Sequence, residues 1–337
     1  MITIKKIAEL ANVSPGTVDR IIHNRGQVTQ ENIDIVNALI EKHGYKRNIF
    51  ASNLAFNKKF RIAVFLPKHN ELEYWKLPIY GIEKAEKEYG NFGFFIDYYY
   101  YKYDSNSFKK NAEKLLKLDY DGLLFAPIFH NESLSFLNEY TKKNVPIIMI
   151  DSNIVENYNQ YYIGQDAYQT GLLSAKLISY GIKKNSSILI AKIAKENDIT
   201  SIFNQRVKGF YSYFENKNEL NINFKEINII KNGKVYLTKE MFNDIDAVYI
   251  PNSRSYIVAK FIKNNNLPNI RIIGYDLLQQ NIEYLKLGYI DFLINQKPEE
   301  QGYIGITKLY KKLVLKEESN KNIYMPIEII TKENWIE

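Results

Sequence analysis

Ile4-Lys5-Lys6-Ile7-Ala8-Glu9-Leu10-Ala11-Asn12-Val13-Ser14-Pro15-Gly16-Thr17-Val18-Asp19-Arg20 holds two helical signals with almost nothing between them. Ile4, Ile7, Ala8 and Ala11 recur at the spacing of one helix face. Asn12-Val13 fits a tight turn. Ser14-Pro15 then restarts the chain as a helix, with Ser14 as N-cap and Pro15 at the first position, where its missing N–H costs nothing. Two helices this short cannot bury a core of their own. Docked on a third, with Thr29 as N-cap, Ile33, Val36 and Ile40 inward and Gly44 as the stop, they make a helix-turn-helix unit. The second helix of such a unit fits the major groove of DNA.

Charge points the same way. Residues 1–61 hold ten Lys or Arg and five acidic residues, so they carry +5 of the formal +7 of the whole chain. A basic small module beside a nearly neutral large one is the electrostatic footprint of phosphate binding.

The 337 residues suit about two or three folding units. The absence of Cys excludes disulfides, zinc fingers and thiol nucleophiles. No apolar run nears the roughly 18 residues of a membrane span, and residues 1–15 lack a signal-peptide core. A cytoplasmic protein is expected. The run Tyr98-Tyr99-Tyr100-Tyr101 reads as part of a strand in a chain rich in Tyr.

From Arg61 the periodicity changes. Buried-strand runs at Ile62–Leu66, Phe94–Tyr98, Gly122–Ala126 and Ile147–Ile150 alternate with amphipathic helices near 78–89, 106–117 and 131–143. The cycle restarts near Tyr161–Asp166, with strands over 187–193, 247–250, 270–274 and 292–295. Helices fall near 168–180, 205–216, 255–265, 278–287 and 298–315. Such alternation means βαβ units and parallel sheets. Two doubly wound halves face one another across a cleft, and ligands sit at the carboxyl ends of the strands. Between the two blocks, Ile49–Ala55 is a helical stretch too short to be stable alone in water.

The headpiece run together with Val28-Thr29, Gly44-Tyr45-Lys46-Arg47-Asn48 and Ala51-Ser52-Asn53-Leu54-Ala55 resembles the LacI/GalR family of bacterial transcription repressors, along the whole chain. The resemblance implies an α/β protein: an N-terminal all-α helix-turn-helix headpiece followed by a two-lobed periplasmic-binding-protein-like domain of doubly wound parallel sheets. The expected divisions are a headpiece over 1–46, a hinge helix or linker over 47–60 and an effector domain over 61–337. Within that domain the N-lobe takes about 61–163 and 297–320, and the C-lobe about 164–296 and 321–337. A homodimer is implied, and the lack of a heptad tail after Ile327–Glu337 argues against a tetramer.

By resemblance the recognition helix reads bases from Pro15, Gly16 and Arg20. Arg20 suits the task, since its planar fork can bond guanine O6 and N7 together. Ser14 and Thr17 offer short hydroxyls for phosphate, Asn24 and Gln27 are further phosphate contacts, and His23 assists. Pro15-Gly16 departs from relatives with long side chains there, so base reading leans on Arg20. In the hinge, with Asn48 and Ala51, Leu54 matches the leucine that wedges into the minor groove, where an apolar insertion unstacks and bends the duplex. Arg47 replaces the usual proline before Asn48.

The cleft residues carry over in the same way. Tyr74 and Trp75 fall where paired aromatics stack on a sugar ring, whose flat C–H faces pack on such rings. Asp151, Asn204, Arg206, Asn252, Asp276 and Gln296 fall where relatives hold sugar hydroxyls, which need charged or amide partners. His130 is a weaker candidate.

These residues describe a sequence-specific DNA-binding regulator, read as a repressor, controlled by a small effector of sugar type in the cleft. Double-stranded operator DNA, the effector and a second copy are its partners. No catalytic residue, metal or cofactor is expected. The alternative is a sugar- or nucleotide-acting enzyme with an accessory DNA-binding module. No Gly-rich phosphate loop, HExxH or GxSxG supports it, and two of the four His lie in the headpiece. A third reading is a constitutive DNA-binding protein with a vestigial cleft.

Overall fold

Helix α1 (Ile4–Leu10), helix α2 (Pro15–Ile22) and helix α3 (Gln30–Lys42) form the first of two units, Met1–Phe56 and Asn57–Glu337. The computed structural model describes residues 2–22, 26–43, 59–69, 73–154, 160–193, 201–215, 217, 220–231, 234–268, 270–318 and 320–336. Ile7, Ala8, Ala11, Val18, Ile21 and Val36 are buried together, with Ile33 and Ile40 packed against them. Ser14 caps α2 as expected, its Oγ accepting the Thr17 N–H at 3.1 Å. Thr29 precedes α3 without a side-chain cap bond.

The second unit starts with β1 (Phe60–Pro67), α4 (Lys76–Tyr89), β2 (Phe94–Tyr101), α5 (Ser105–Leu116), β3 (Gly122–Phe125), α6 (His130–Tyr140), β4 (Ile147–Ile150) and β5 (Tyr161–Gly164). The chain then enters a second lobe with α7 (Ala167–Ser179), β6 (Ser187–Lys192), α8 (Ser201–Glu215), β7 (Asn223–Asn228) and a small hairpin, β8 (Ile230–Lys231) and β9 (Lys234–Val235). It continues through β10 (Ala247–Tyr249), α9 (Ser255–Asn264), β11 (Arg271–Tyr275), α10 (Gln279–Lys286) and β12 (Phe292–Asn295). Helix α11 (Pro298–Tyr310) and β13 (Asn322–Tyr324) return to the first lobe, and β14 (Glu328–Ile330) to the second.

Each lobe is a six-stranded sheet, ordered β13-β5-β4-β3-β1-β2 and β14-β12-β11-β10-β6-β7. The first is parallel throughout; the second is parallel except for the antiparallel β12–β14 edge. Central strands such as β3 and β4 are buried along their whole length. Helices cover both faces of such sheets, which is why their strands read as unbroken apolar runs.

Three differences from the sequence reading matter. The last crossover lies after Tyr324, because β13 pairs with β5 in the first sheet, whereas the sequence placed it at 320–321. Helix α8 begins at Ser201, one turn before the expected start. Strand β7 and the β8–β9 hairpin were not anticipated.

Chain crossings between lobes fall at 165–166, 296–297 and 325–327, and one buried side chain stitches them. Gln165 Nε2 donates to the carbonyls of Asn295 (2.9 Å) and Pro326 (2.8 Å). Paired glycines let helices cross at backbone contact. A Cβ on Gly171 of α7 would sit 2.0 Å from the Arg206 carbonyl oxygen, and one on Gly209 of α8 would sit 2.0 Å from that of Tyr168. This crossing fixes the height of Arg206 above the second sheet.

Candidate functional site

At the carboxyl ends of both sheets lies a cavity of about 430 Å³ between the lobes. Asp151 follows β4 and Asp276 follows β11, and both line it. Each turns the chain out of its sheet through a left-handed residue, with φ of 65° and 68°. Asp tolerates that conformation better than most side chains. The backbone N–H of Asp151 donates to Gln301 Oε1 at 2.8 Å, while Gln301 Nε2 donates to the Gln296 carbonyl at 2.9 Å. Asn281 Nδ2 donates to the carbonyls of Tyr275 and Asp276, both at 3.0 Å, and holds the second turn.

The carboxylates have different partners. Tyr74 Oη donates to Asp151 Oδ1 at 2.7 Å and Ser152 Oγ to Oδ2 at 3.1 Å. Gln296 Nε2 donates to both oxygens of Asp276, at 3.0 and 2.9 Å. Burial raises the Asp151 carboxyl above the usual range, against the lowering pull of Tyr74 and Arg206. Burial pushes Asp276 up to about 7, with Arg206 and Gln296 opposing. The Tyr74 hydroxyl is pushed well above its ordinary value by burial and then by the nearby Asp151.

Arg206, on the first turns of α8, is the buried cation between them and is 3% exposed. Its guanidinium stacks 3.7 Å above the Tyr275 ring centroid, a cation–π contact. Nη1 donates to the Pro251 carbonyl at 3.1 Å and Nη2 to Gln296 Oε1 at 2.5 Å. Nε has no partner among the described residues. Burial works against its charge, but Tyr275 and the carboxylates outweigh that and hold it protonated.

Trp75 and Tyr74 line the first-lobe wall with rings edge to face, 5.1 Å apart. Asn252 lines the cavity too, and its amide ties its own loop to the chain after β6. Nδ2 donates to the Ile193 carbonyl at 3.1 Å and Oδ1 accepts the Arg254 N–H at 3.1 Å. Asn204 is a correction: it is exposed and does not line the cavity. Two residues along a helix is about 200° of rotation, so Asn204 and Arg206 cannot share a face. His130 opens α6, is exposed and lies outside the cavity lining.

Several lining residues were not foreseen. Glu73 and Gln280 meet across the cleft, Gln280 Nε2 donating to Glu73 Oε2 at 2.6 Å. Leu278 reaches from the second lobe into the apolar core of the first. Tyr103, Arg254 and the hairpin residues Ile230 and Val235 complete the rim. The Asn232-Gly233 dipeptide is the sequence signal for that hairpin. No comparable short-range signal marks Glu73 or Gln280.

In the first unit Pro15, Gly16, Arg20, Ser14 and Gln27 are exposed and Thr17 is half-buried. Arg20 stands four residues from Gly16 and three from Thr17, so both neighbour it on the surface of α2, while Val18 and Ile21 face the core and Thr17 borders it. Ser14 Oγ and Thr17 Oγ1 lie 2.9 Å apart, within hydrogen-bond distance. His23, Asn24, Gly44, Arg47, Asn48, Ala51 and Leu54 lie outside the described residues.

Residues 62–317 match the profile of the periplasmic binding protein domain, and residues 3–48 that of the lacI family of bacterial regulatory proteins. The sucrose operon repressor of Streptococcus mutans is 26% identical over 97% of this chain and 98% of its own length. The ribose operon repressor of Lactococcus lactis is 24% identical over 99% and 98%. A solved structure described as a "putative LacI transcriptional regulator" from Bacteroides fragilis superposes with a TM-score of 0.75 at 29% identity, covering 82% of this chain and 98% of the other. With a helix-turn-helix headpiece ahead of a two-lobed binding domain, and matches along nearly its whole length, this chain belongs to the lacI family of bacterial regulatory proteins.

Proposed function

We propose that the chain is a cytoplasmic, homodimeric repressor whose grip on operator DNA is set by a hydroxyl-rich effector, a sugar or sugar derivative, bound between the lobes and released unchanged. One observation carries this reading. Asp151 and Asp276 face a cavity that also holds Arg206, whose buried Nε has no partner among the described residues. Buried polar groups are normally satisfied, and a ligand oxygen would satisfy this one. Carboxylates suit the hydroxyl donors of a sugar, and Trp75 suits its C–H face. The names of the relatives, repressors of sucrose and ribose operons, agree with that class.

On the DNA side, Arg20 reads a guanine beside Pro15 and Gly16, with His23 assisting, and Ser14, Thr17, Asn24 and Gln27 contact phosphate. Leu54 enters the minor groove, with Asn48 and Ala51 beside it. The domain plan follows the sequence reading, with the last crossover placed past Tyr324. Effector binding changes the angle between the lobes and so the affinity for DNA, by the roughly 1–3 kcal/mol usual for such coupling.

A thermal-shift screen of mono- and disaccharides and their acids tests the ligand half. At least one sugar should raise the melting temperature, and Asp276→Ala should abolish that shift. If no sugar moves the wild-type chain, the reading fails.

A further inference from the structure

One wall of the cleft has no partner in the polar site just described. We infer that the β8–β9 hairpin builds an apolar annex to the effector site, and that the effector is a glycoside: a hydroxylated ring on the polar floor carrying a substituent with an apolar face in the annex. The inference rests on the sugar reading given above.

The hairpin register carries the argument. Ile230 pairs with Val235 and Lys231 with Lys234. Side chains directly opposed across an antiparallel pair share a face, and successive residues alternate. Ile230 and Val235 therefore stand on one face, and both line the cavity. The Lys231–Lys234 pair stands on the other and is exposed.

The platform is anchored. Ile229 is fully buried, and its N–H donates to the Lys192 carbonyl at 2.8 Å. Its own carbonyl accepts the Tyr236 N–H at 2.8 Å, and the Ile230 N–H donates to Asn228 Oδ1 at 3.0 Å. Even so, Val235 is left 51% exposed. Ile193, Ile202 and Ile257 also line the cavity. None of these five side chains has a donor or acceptor, so water beside them gains nothing that a ligand must replace.

Volume points to the same occupant. A hexose of twelve non-hydrogen atoms takes roughly 200 Å³ at interior packing density. About half of the 430 Å³ cavity is then left over. The hydroxyls of one ring have their partners on the floor, among Asp151, Arg206, Asp276 and Gln296. The rest of the lining includes Ile193, Ile202, Ile230, Val235 and Ile257 beside Tyr103, Phe203 and Arg254, and a second ring or an aryl group would cover its apolar part. Covering about 60 Å² of apolar surface is worth roughly tenfold in affinity.

Calorimetric titration of the full chain tests this with free glucose, galactose and xylose, their methyl and phenyl glycosides, and disaccharides of each. For the sugar that binds, the phenyl glycoside or the disaccharide should bind at least tenfold more tightly than the methyl glycoside. In the double variant Ile230→Ser/Val235→Ser that gain should fall below threefold, with the methyl glycoside changed less than twofold. Lys234→Ser, on the opposite face, should change neither. A methyl glycoside that binds as tightly as its larger counterparts overturns the annex but leaves the sugar reading intact. So does a double variant that weakens every ligand equally. If nothing in the panel binds the wild-type chain, the sugar reading falls, and the annex with it.

Discussion

Asp151 ends β4 in the first lobe and Asp276 ends β11 in the second, with nearly the same left-handed backbone and nearly complete burial. Their surroundings differ. Asp151 receives two hydroxyl donors, Tyr74 and Ser152, whereas Asp276 receives one amide, Gln296, which also accepts from Arg206. Two doubly wound lobes thus deliver a carboxylate to equivalent places, where burial raises both and hydrogen bonds and Arg206 oppose it. Near neutral pH the Asp276 side titrates, because burial has lifted it to about 7.

Removing the shared cation breaks the comparison most severely. Arg206→Leu removes the buried guanidinium whose charge acts on both carboxyl groups and leaves Gln296 Oε1 and the Pro251 carbonyl without their donor, and each buried acceptor left unsatisfied costs roughly 1–3 kcal/mol. Urea unfolding at pH 7 should show a loss of that order. A loss under about 1 kcal/mol would mean that Arg206 does not balance the pair.

Titration sharpens the comparison. In the folded chain Asp276 binds its proton more tightly than in the unfolded chain, so its contribution favours folding at low pH and fades as pH rises through about 7. Asp276→Asn removes that dependence. Relative to wild type the variant should gain roughly 2–3 kcal/mol between pH 5 and pH 8. Asp151→Asn should change in the same direction. Thermal unfolding across that range would check both, and a flat difference for Asp276→Asn would contradict the assignment. Effector affinity should rise from pH 6 to pH 8, since the ionised carboxylate is the better acceptor for hydroxyls.

The smallest effect tests the hydroxyl that is special to the first lobe. Tyr74→Phe keeps the ring and deletes one bond to Asp151, for about 1–2 kcal/mol of stability. Asn204→Ala, on the solvent face of α8, should stay within about 0.5 kcal/mol. An Asn204 loss equal to that of Tyr74 would show that the cavity boundary has been misjudged.

Much of this was legible before any coordinates. Runs such as Gly122–Phe125 and Ile147–Ile150 are buried on both faces, so their apolar continuity announces a parallel strand. Once strands and helices alternate, the fold places ligands at strand ends, which is why Asp151, Asp276 and Gln296 could be named from sequence. Edge elements were harder. Strand β7 mixes exposed and half-buried positions over Asn223–Asn228, and β13 has three residues held by one neighbour. Neither carries the pattern of a core strand. Asn204 falls outside because it lies about 200° around α8 from Arg206, whereas Asn252 does line the cavity, its amide bonded to the Ile193 carbonyl and the Arg254 N–H. Gln165 and Gln301 act only through contacts more than a hundred residues distant in sequence, except for Gln301 to Gln296, and no local pattern encodes them.

The account is tested most directly by the affinity of the full chain for operator DNA, measured by fluorescence anisotropy with and without the sugar that raises its melting temperature. Wild type should shift at least fivefold on adding the sugar, and Asp151→Ala/Asp276→Ala should bind DNA with no shift. An operator affinity that is the same with the cleft filled and empty would contradict it.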